Sequence, residues 1–137
     1  MKKATLIQSL IGLVVFGLGL TTGLFAQPTS GSPPSVEQKR NDLSGAPGME
    51  VISTVVEFKI GETIDLHSHH GIETIYVIQG ASVQVPGKDP RTLPTGATLV
   101  NLRDVKHGGF KVVGDTSLKL FTVHVVDQGK PLYDYSK

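Results

Sequence analysis

The sequence predicts an all-β fold, a sandwich or barrel in one domain. Three observations carry that expectation. From residue 49 onward, short runs rich in β-branched residues recur at intervals of roughly 8–12 residues. Glycine- or proline-bearing turns close most of these runs, and no stretch after residue 48 has the period of a long amphipathic helix. The length, 137 residues, suits a single domain, and 39% hydrophobic against 18% charged residues suffices for a packed core.

Residues 51–58 (VISTVVEF) form the first clear strand, ended by Gly61. Residues 63–69 (TIDLHSH) alternate and stop at a His70-Gly71 turn. Residues 72–79 (IETIYVIQ) follow, closed by Gly80, and residues 81–85 (ASVQV) run into the turn cluster PGKDP at 86–90. After the turn at 94–96 come residues 97–102 (ATLVNL), with a polar turn around Arg103 and Asp104. Residues 110–113 (FKVV) end at Gly114-Asp115, and residues 116–127 (TSLKLFTVHVVD) make the last long strand. Periodicity alone does not choose between a jelly roll and an up-and-down barrel.

The N-terminus is a separate object. A Lys2-Lys3 start, an apolar stretch richest over residues 10–20 (LIGLVVFGLGL) and a polar break after Ala26 describe a secretory signal over residues 1–26. The alternative is an uncleaved anchor, because residues 4–26 together reach the ~20 residues that span a bilayer. Cleavage leaves an exported protein, periplasmic or extracellular, with no stable membrane span. It removes two lysines and no acid, so the full-chain charge of +1 becomes −1, with 11 basic and 12 acidic residues. Residues 27–48, rich in Pro, Ser, Gly, Gln and charge, read as a linker or N-terminal arm, with RNDLSG (40–45) able to add an edge strand. The barrel then spans residues 49–131 and a C-terminal tail residues 132–137. The small net charge and lack of a basic block argue against nucleic acid as a partner. No cysteine is present, so any metal must be held by His, Asp or Glu.

The chemistry concentrates in GETIDLHSHHGIETIYVIQG, residues 61–80. His67 and His69 are two apart, so on a strand they project to one side. Glu73 follows a turn and shares a face with Ile75 and Val77. If residues 62–69 and 72–79 form a hairpin, Glu73 returns beside the two histidines. Two imidazoles and a carboxylate suit a first-row transition metal and leave positions open. The competing reading is an exposed hairpin tip with solvated side chains.

The wider spacing is Gly61-x5-His67-x-His69-x3-Glu73-x6-Gly80. It resembles the first sequence motif of the cupin superfamily, G-x5-HxH-x3,4-E-x6-G, at every defined position. The glycines stand where turns bound the strands, and Gly tolerates the positive φ such turns often need. The second cupin motif, G-x5-P-x-G-x2-H-x3-N, is matched in part. Gly96 and His107 have the right separation, while Leu102 replaces its proline, Asp104 its inner glycine and Lys111 its asparagine. Asp occupies turns nearly as readily as Gly. The resemblance covers residues 49–131. It implies a small jelly-roll barrel holding one divalent transition metal through His67, His69, Glu73 and His107, with iron or manganese ranked first and nickel or zinc next. Related cupins include dioxygenases, oxidases, isomerases and decarboxylases, and also binding and storage proteins. The expectation is a dioxygenase- or oxidase-like enzyme on a small organic molecule, resembling single-domain quercetin-dioxygenase-like cupins. The alternative is a non-enzymatic metal- or ligand-binding module. Catalytic residues beyond the metal ligands are not assigned.

Neighbouring residues carry lesser expectations. His70 is read as a surface residue or one near the site, and His124 as a packed core histidine or one lining the pocket. Tyr76 and Phe121 are read as core or wall aromatics. Thr63 and Asp65 share the face of His67 and can hydrogen-bond toward the site. An exposed edge strand would make a homodimer by strand pairing. The exported protein is expected to begin near Gln27, as N-terminal sequencing of the material from its native compartment would show. Membrane-bound protein that retains residues 1–26 would establish the anchor instead.

Overall fold

The computed structural model describes residues 32–136. The expected signal peptide and the first residues of the arm therefore lie outside the described residues. The described chain forms nine strands: β1 Val36–Asp42, β2 Met49–Phe58, β3 Thr63–Ile64, β4 Gly71–Gln79, β5 Ala81–Gln84, β6 Arg91–Leu93, β7 Thr98–Asn101, β8 Phe110–Val113 and β9 Leu118–Asp127. They make two antiparallel sheets, one of order β1-β2-β9-β4-β7 and one of order β3-β8-β5-β6. The sheets face each other as a jelly-roll sandwich without closing into a barrel.

Strand alternation sets what lies between the sheets. In β2 and β9 every second residue is buried over ten residues, as expected of strands with one face on a core. The apolar half of the interior is built from Val56, Phe58, Val77, Leu118 and Leu120 of the larger sheet and Ile64, Ala81, Val83 and Val112 of the smaller. Each such side chain contributes roughly 1.5–3 kcal/mol when fully buried. Toward the other end the same inward positions turn polar. Ladder pairing aligns Thr54 with Thr122, and one row on places Ile52, His124, Glu73 and Asn101 side by side across four strands. A polar stripe is thereby fixed by the register that aligns the apolar one.

Two expectations change, and one strand was not foreseen. The predicted hairpin of residues 62–69 with 72–79 does not form: β3 pairs with β8 in the smaller sheet, whereas β4 lies between β9 and β7 in the larger. Residues 65–70 cross between the sheets, because the long alternating β9 offers β4 a longer ladder than residues 62–69 can. Tyr76 is not a core residue; it is 48% exposed on the outer face, opposite Phe121, since Glu73, Ile75 and Val77 take the inward positions. β6 (RTL) lacks a β-branched run and carries no sequence signal of a strand.

The arm is more than a linker: β1 is the edge of the larger sheet, with every residue exposed. Its charges, Glu37, Lys39, Arg40 and Asp42, discourage pairing with another chain. Arg40 reaches over to the buried Glu50 at 2.6 Å.

The motif glycines serve different ends. Gly61 has φ +88 and open space beside it, so conformation alone requires glycine there. Gly80 has no such φ, but a Cβ would lie 2.4 Å from the Leu93 carbonyl oxygen and 2.5 Å from the Thr95 nitrogen. Gly61→Ala is expected to cost about 1–2 kcal/mol, the left-handed penalty. Gly80→Ala should cost more, about 3 kcal/mol, because backbone must move. Equilibrium denaturation checks the order; a Gly80→Ala protein as stable as Gly61→Ala would refute the close-approach account.

Candidate metal centre

His67, His69, Glu73 and His107 present four donor atoms within 4.8 Å of one another. Donors on a common ion at ~2.0–2.2 Å are at most ~4.4 Å apart, so shifts of a few tenths of an ångström complete the sphere. Glu73 arrives from β4 and His67 and His69 from the crossing segment. His107 comes from the turn before β8, fixed by paired backbone bonds with His67 of 2.8 and 3.0 Å. That turn contains Asp104, whose φ of +58 is the only positive value outside glycine among the described residues. The aspartate thus adopts the conformation that the second cupin motif assigns to glycine, and the imperfect motif still delivers its histidine.

The orientation of the imidazoles is the strongest feature. His67 Nδ1 donates to the Asp65 carbonyl at 2.7 Å, His107 Nδ1 to the Val105 carbonyl at 2.9 Å, and His69 Nδ1 to the Leu132 carbonyl. A carbonyl only accepts, so each Nδ1 must carry the proton and each neutral ring offers its Nε2 lone pair. The Nε2 atoms of His69 and His107 are buried with no hydrogen-bond partner. Both stand 3.3 Å from Glu73 Oε2. Lone pairs facing a carboxylate at that distance are resolved by a positive charge between them, and a divalent ion fits the donor set. Asn101 donates to the same Oε2 at 2.7 Å and fixes the carboxylate from the side.

Electrostatics agree. Burial pushes the His67 imidazole down from 6.5 to about 4, against the opposing pull of its hydrogen bond to the Asp65 backbone. Burial likewise pushes His124 down to about 4. For Glu73, burial acts upward, and it is only imidazoles of His107 and His69 protonated at Nε2 that would hold the carboxyl below the ordinary carboxylate range; with their protons on Nδ1 that pull has to come from a cation. Burial thus disfavours the charged form of His67, and the neutral imidazole is the state that binds metal.

The remaining candidates separate clearly. His124 is wholly buried and lines the site: its ring is 4.7 Å from that of His69, and its Nε2 is 3.7 Å from Glu73 Oε1. Its Nε2 also meets Thr122 Oγ1 at 2.8 Å, and Thr122 meets Thr54 at 2.9 Å. His70 stays outside, held between Asp104 at 3.1 Å and Asp134 at 3.4 Å. Thr63 bonds Asp65 at 3.4 Å, and Asp65 serves the site through its backbone carbonyl. Sequence reasoning missed Asn101, the Leu132 carbonyl and Tyr133. The Tyr133 ring lies 5.2 Å from those of both His67 and His69, and burial pushes its phenol up. Residues 132–136, expected as a tail, cover the centre.

The shifts give a pH dependence. His67 and His124 titrate near 6.5 when unfolded and near 4 when folded, so below about 6.5 the unfolded chain takes up protons first. The metal-free protein should therefore melt at progressively lower temperature as pH drops from 7 to 4. Melting curves in chelator test this, and a flat or rising midpoint would contradict it.

No family model and no curated protein matches the chain. Solved structures do. A conserved protein with a double-stranded β-helix domain from Klebsiella pneumoniae is similar at TM-score 0.54 and 18% identity, covering 80% of this chain and 90% of that one. A DMSP lyase is similar at TM-score 0.50 and 18% identity over 64% of this chain, which spans 44% of the lyase chain. A cupin-like protein from Thermotoga maritima is 24% identical over 68% of this chain and 71% of its own, at TM-score 0.46. Two facing antiparallel sheets and the likeness to the Klebsiella pneumoniae protein lead to one conclusion: the chain has a double-stranded β-helix fold.

Proposed function

We propose that this is an exported, mononuclear metal-binding cupin that acts as a dioxygenase- or oxidase-like enzyme on a small organic substrate. The observation that carries the reading is the convergence of three Nδ1-tethered imidazoles and Glu73 on one point. A bound divalent transition metal supplies Lewis acidity or oxygen activation, with iron or manganese ranked ahead of nickel or zinc for this N3O donor set. The chain's own residues do the rest. Glu73 neutralises one unit of charge, and Asn101 holds its Oε2 in place. The three carbonyl tethers aim the lone pairs before any ion arrives. Burial of His67, His69 and Glu73 keeps bulk water from competing. Four protein donors leave room for a substrate atom on an ion that takes five or six. A similar fold serves a DMSP lyase, which supports enzyme chemistry on such a scaffold without naming the reaction.

A non-enzymatic metal-holding module is the second reading. The nearly complete burial of the ligand set favours it. In either case pairing of two copies would use β7, an edge strand with Leu99 and Val100 exposed, rather than the charged β1.

Purified protein should bind close to one transition metal per chain by elemental analysis. His67→Ala combined with His69→Ala should abolish binding, and full occupancy in that variant would sink the assignment. Asn101→Ala should weaken affinity about 10–100-fold, the usual cost of losing a partner of a ligand. Oxygen uptake with small enols and phenolics separates the two readings: uptake lost in the double variant supports the enzyme, and metal bound without turnover supports the module.

A further inference from the structure

The segment that carries His67 and His69 is lightly held. β3 ends at Ile64, and from there to β4 the backbone joins its neighbours through two isolated bridges and two single bonds, from the Asp104 amide to the His69 carbonyl at 2.9 Å and from the Asp127 amide to the His70 carbonyl at 3.0 Å. One bridge is His67 with His107. The other is Ser68 with Asp134, closed by two backbone bonds of 2.9 Å. Ser68 is the residue between His67 and His69, so one of the two bridges that hold this pair comes from the far end of the described chain.

That end is built as a strap. β9 stops at Asp127, and the chain turns through Gly129, with φ +72, before residues 131–136 run back across the crossing segment. Its contacts fall on the metal centre one after another. The Leu132 carbonyl accepts from His69 Nδ1. The Tyr133 ring packs on His67 and His69, and Tyr135 stacks on Tyr133 at 6.4 Å and meets the His67 ring at 5.8 Å. Lys106, next to His107, donates to the Ser136 carbonyl at 2.6 Å.

We infer that residues 131–136 form a strap that completes the metal centre and gates it: strap docking and metal binding favour each other, and the strap opens at Gly129 to admit ion or ligand. The coupling rests on the metal-centre reading above. Its first half follows from His69. Without the Leu132 carbonyl its Nδ1 loses its acceptor, and the ring loses what selects its tautomer and its angle. By linkage, an ion that fixes Nε2 must stabilise the bond at Nδ1 to the same extent. The gating half follows from burial. His67, His69 and Glu73 are each 6% exposed or less, and His107 is partly exposed but with its Nε2 buried, so the donor atoms are walled off from solvent and movement of a wall would widen the way in. The β-sheet walls are held by ladders, whereas among the described residues the strap's only backbone pairing is the single Ser68–Asp134 bridge. It is the low-stability unit of the enclosure.

Two variants of the full protein test the strap. Asp134→Pro removes the amide that bonds Ser68, and a chain stopped after Lys130 removes the strap. In variants that keep the β-sheet circular dichroism, Zn2+ affinity should fall about 10–100-fold, and release of Zn2+ to a chelator should accelerate. The unmodified chain gives a measurement that depends on no variant folding: Zn2+ should slow hydrogen exchange at the Ser68 and Asp134 amides more than at core amides such as that of Val77. Zn2+ bound and released equally by wild type and folded variants, or exchange slowed no more at these amides than in the core, overturns the strap while leaving the metal centre standing. A wild-type chain that binds no Zn2+, Fe2+ or Mn2+ in equilibrium dialysis overturns the metal-centre reading and the coupling with it.

Discussion

A carboxylate taken out of water has to be met by positive charge, and in this protein that requirement falls on Glu73. It sits on the central strand pair of the larger sheet with its partners fixed by register: His124 on one side, Asn101 on the other. Stripped of hydration, a carboxylate costs several kcal/mol unless it is paired. Asn101 provides a neutral hydrogen bond, which is not enough. The three imidazoles from the opposite side of the sandwich face it with lone pairs, because their protons are spent on backbone carbonyls. The interior is therefore arranged for a cation, and the apolar half of the sandwich supplies the rigidity that keeps the polar half in register.

The partition of the interior explains how one short sandwich holds both a core and a site. Inward positions of β2, β9 and β4 run from Phe58, Leu118 and Val77 at one end to Ile52, His124 and Glu73 at the other. The change from apolar to polar takes place along the strands and not between them. A one-residue slip of β4 on β9 would turn Glu73 outward and bring Ile72 or Thr74 in, so the length of the apolar ladder defends the position of the carboxylate.

What was legible in the sequence and what was not follow from the same physics. The cluster of His67, His69, Glu73 and His107 was readable because fixed spacing on turns and strands survives any sheet arrangement. The long strands were readable from β-branched alternation. The mode of convergence was not: a local hairpin is the simplest way to bring Glu73 to the histidines, but which ladder β4 joins is decided by β9, more than forty residues away in sequence. Asn101 was invisible because its role exists only through the β4–β7 register. The Leu132 carbonyl could not be read at all, since backbone groups leave no mark in a sequence. Tyr133 and Tyr135 did leave one, two aromatics in a segment of six residues in a chain poor in aromatics. Tyr76 could have been placed correctly from Glu73 alone, because adjacent strand residues of one parity share a face.

Three histidines in four positions also pose a problem of choice. His70 is as good a donor as its neighbours, and a crossing segment with so little ladder could twist by one residue and offer His70 in place of His69. Two aspartates stand against this, Asp104 on one ring nitrogen and Asp134 on the other. Asp104 is the residue that replaces the inner glycine of the second motif, and a glycine there would have had no side chain to give. The departure from the motif thus has a consequence in the structure: the same turn that delivers His107 holds the His70 imidazole aside, and His67, His69 and His107 are left to face Glu73.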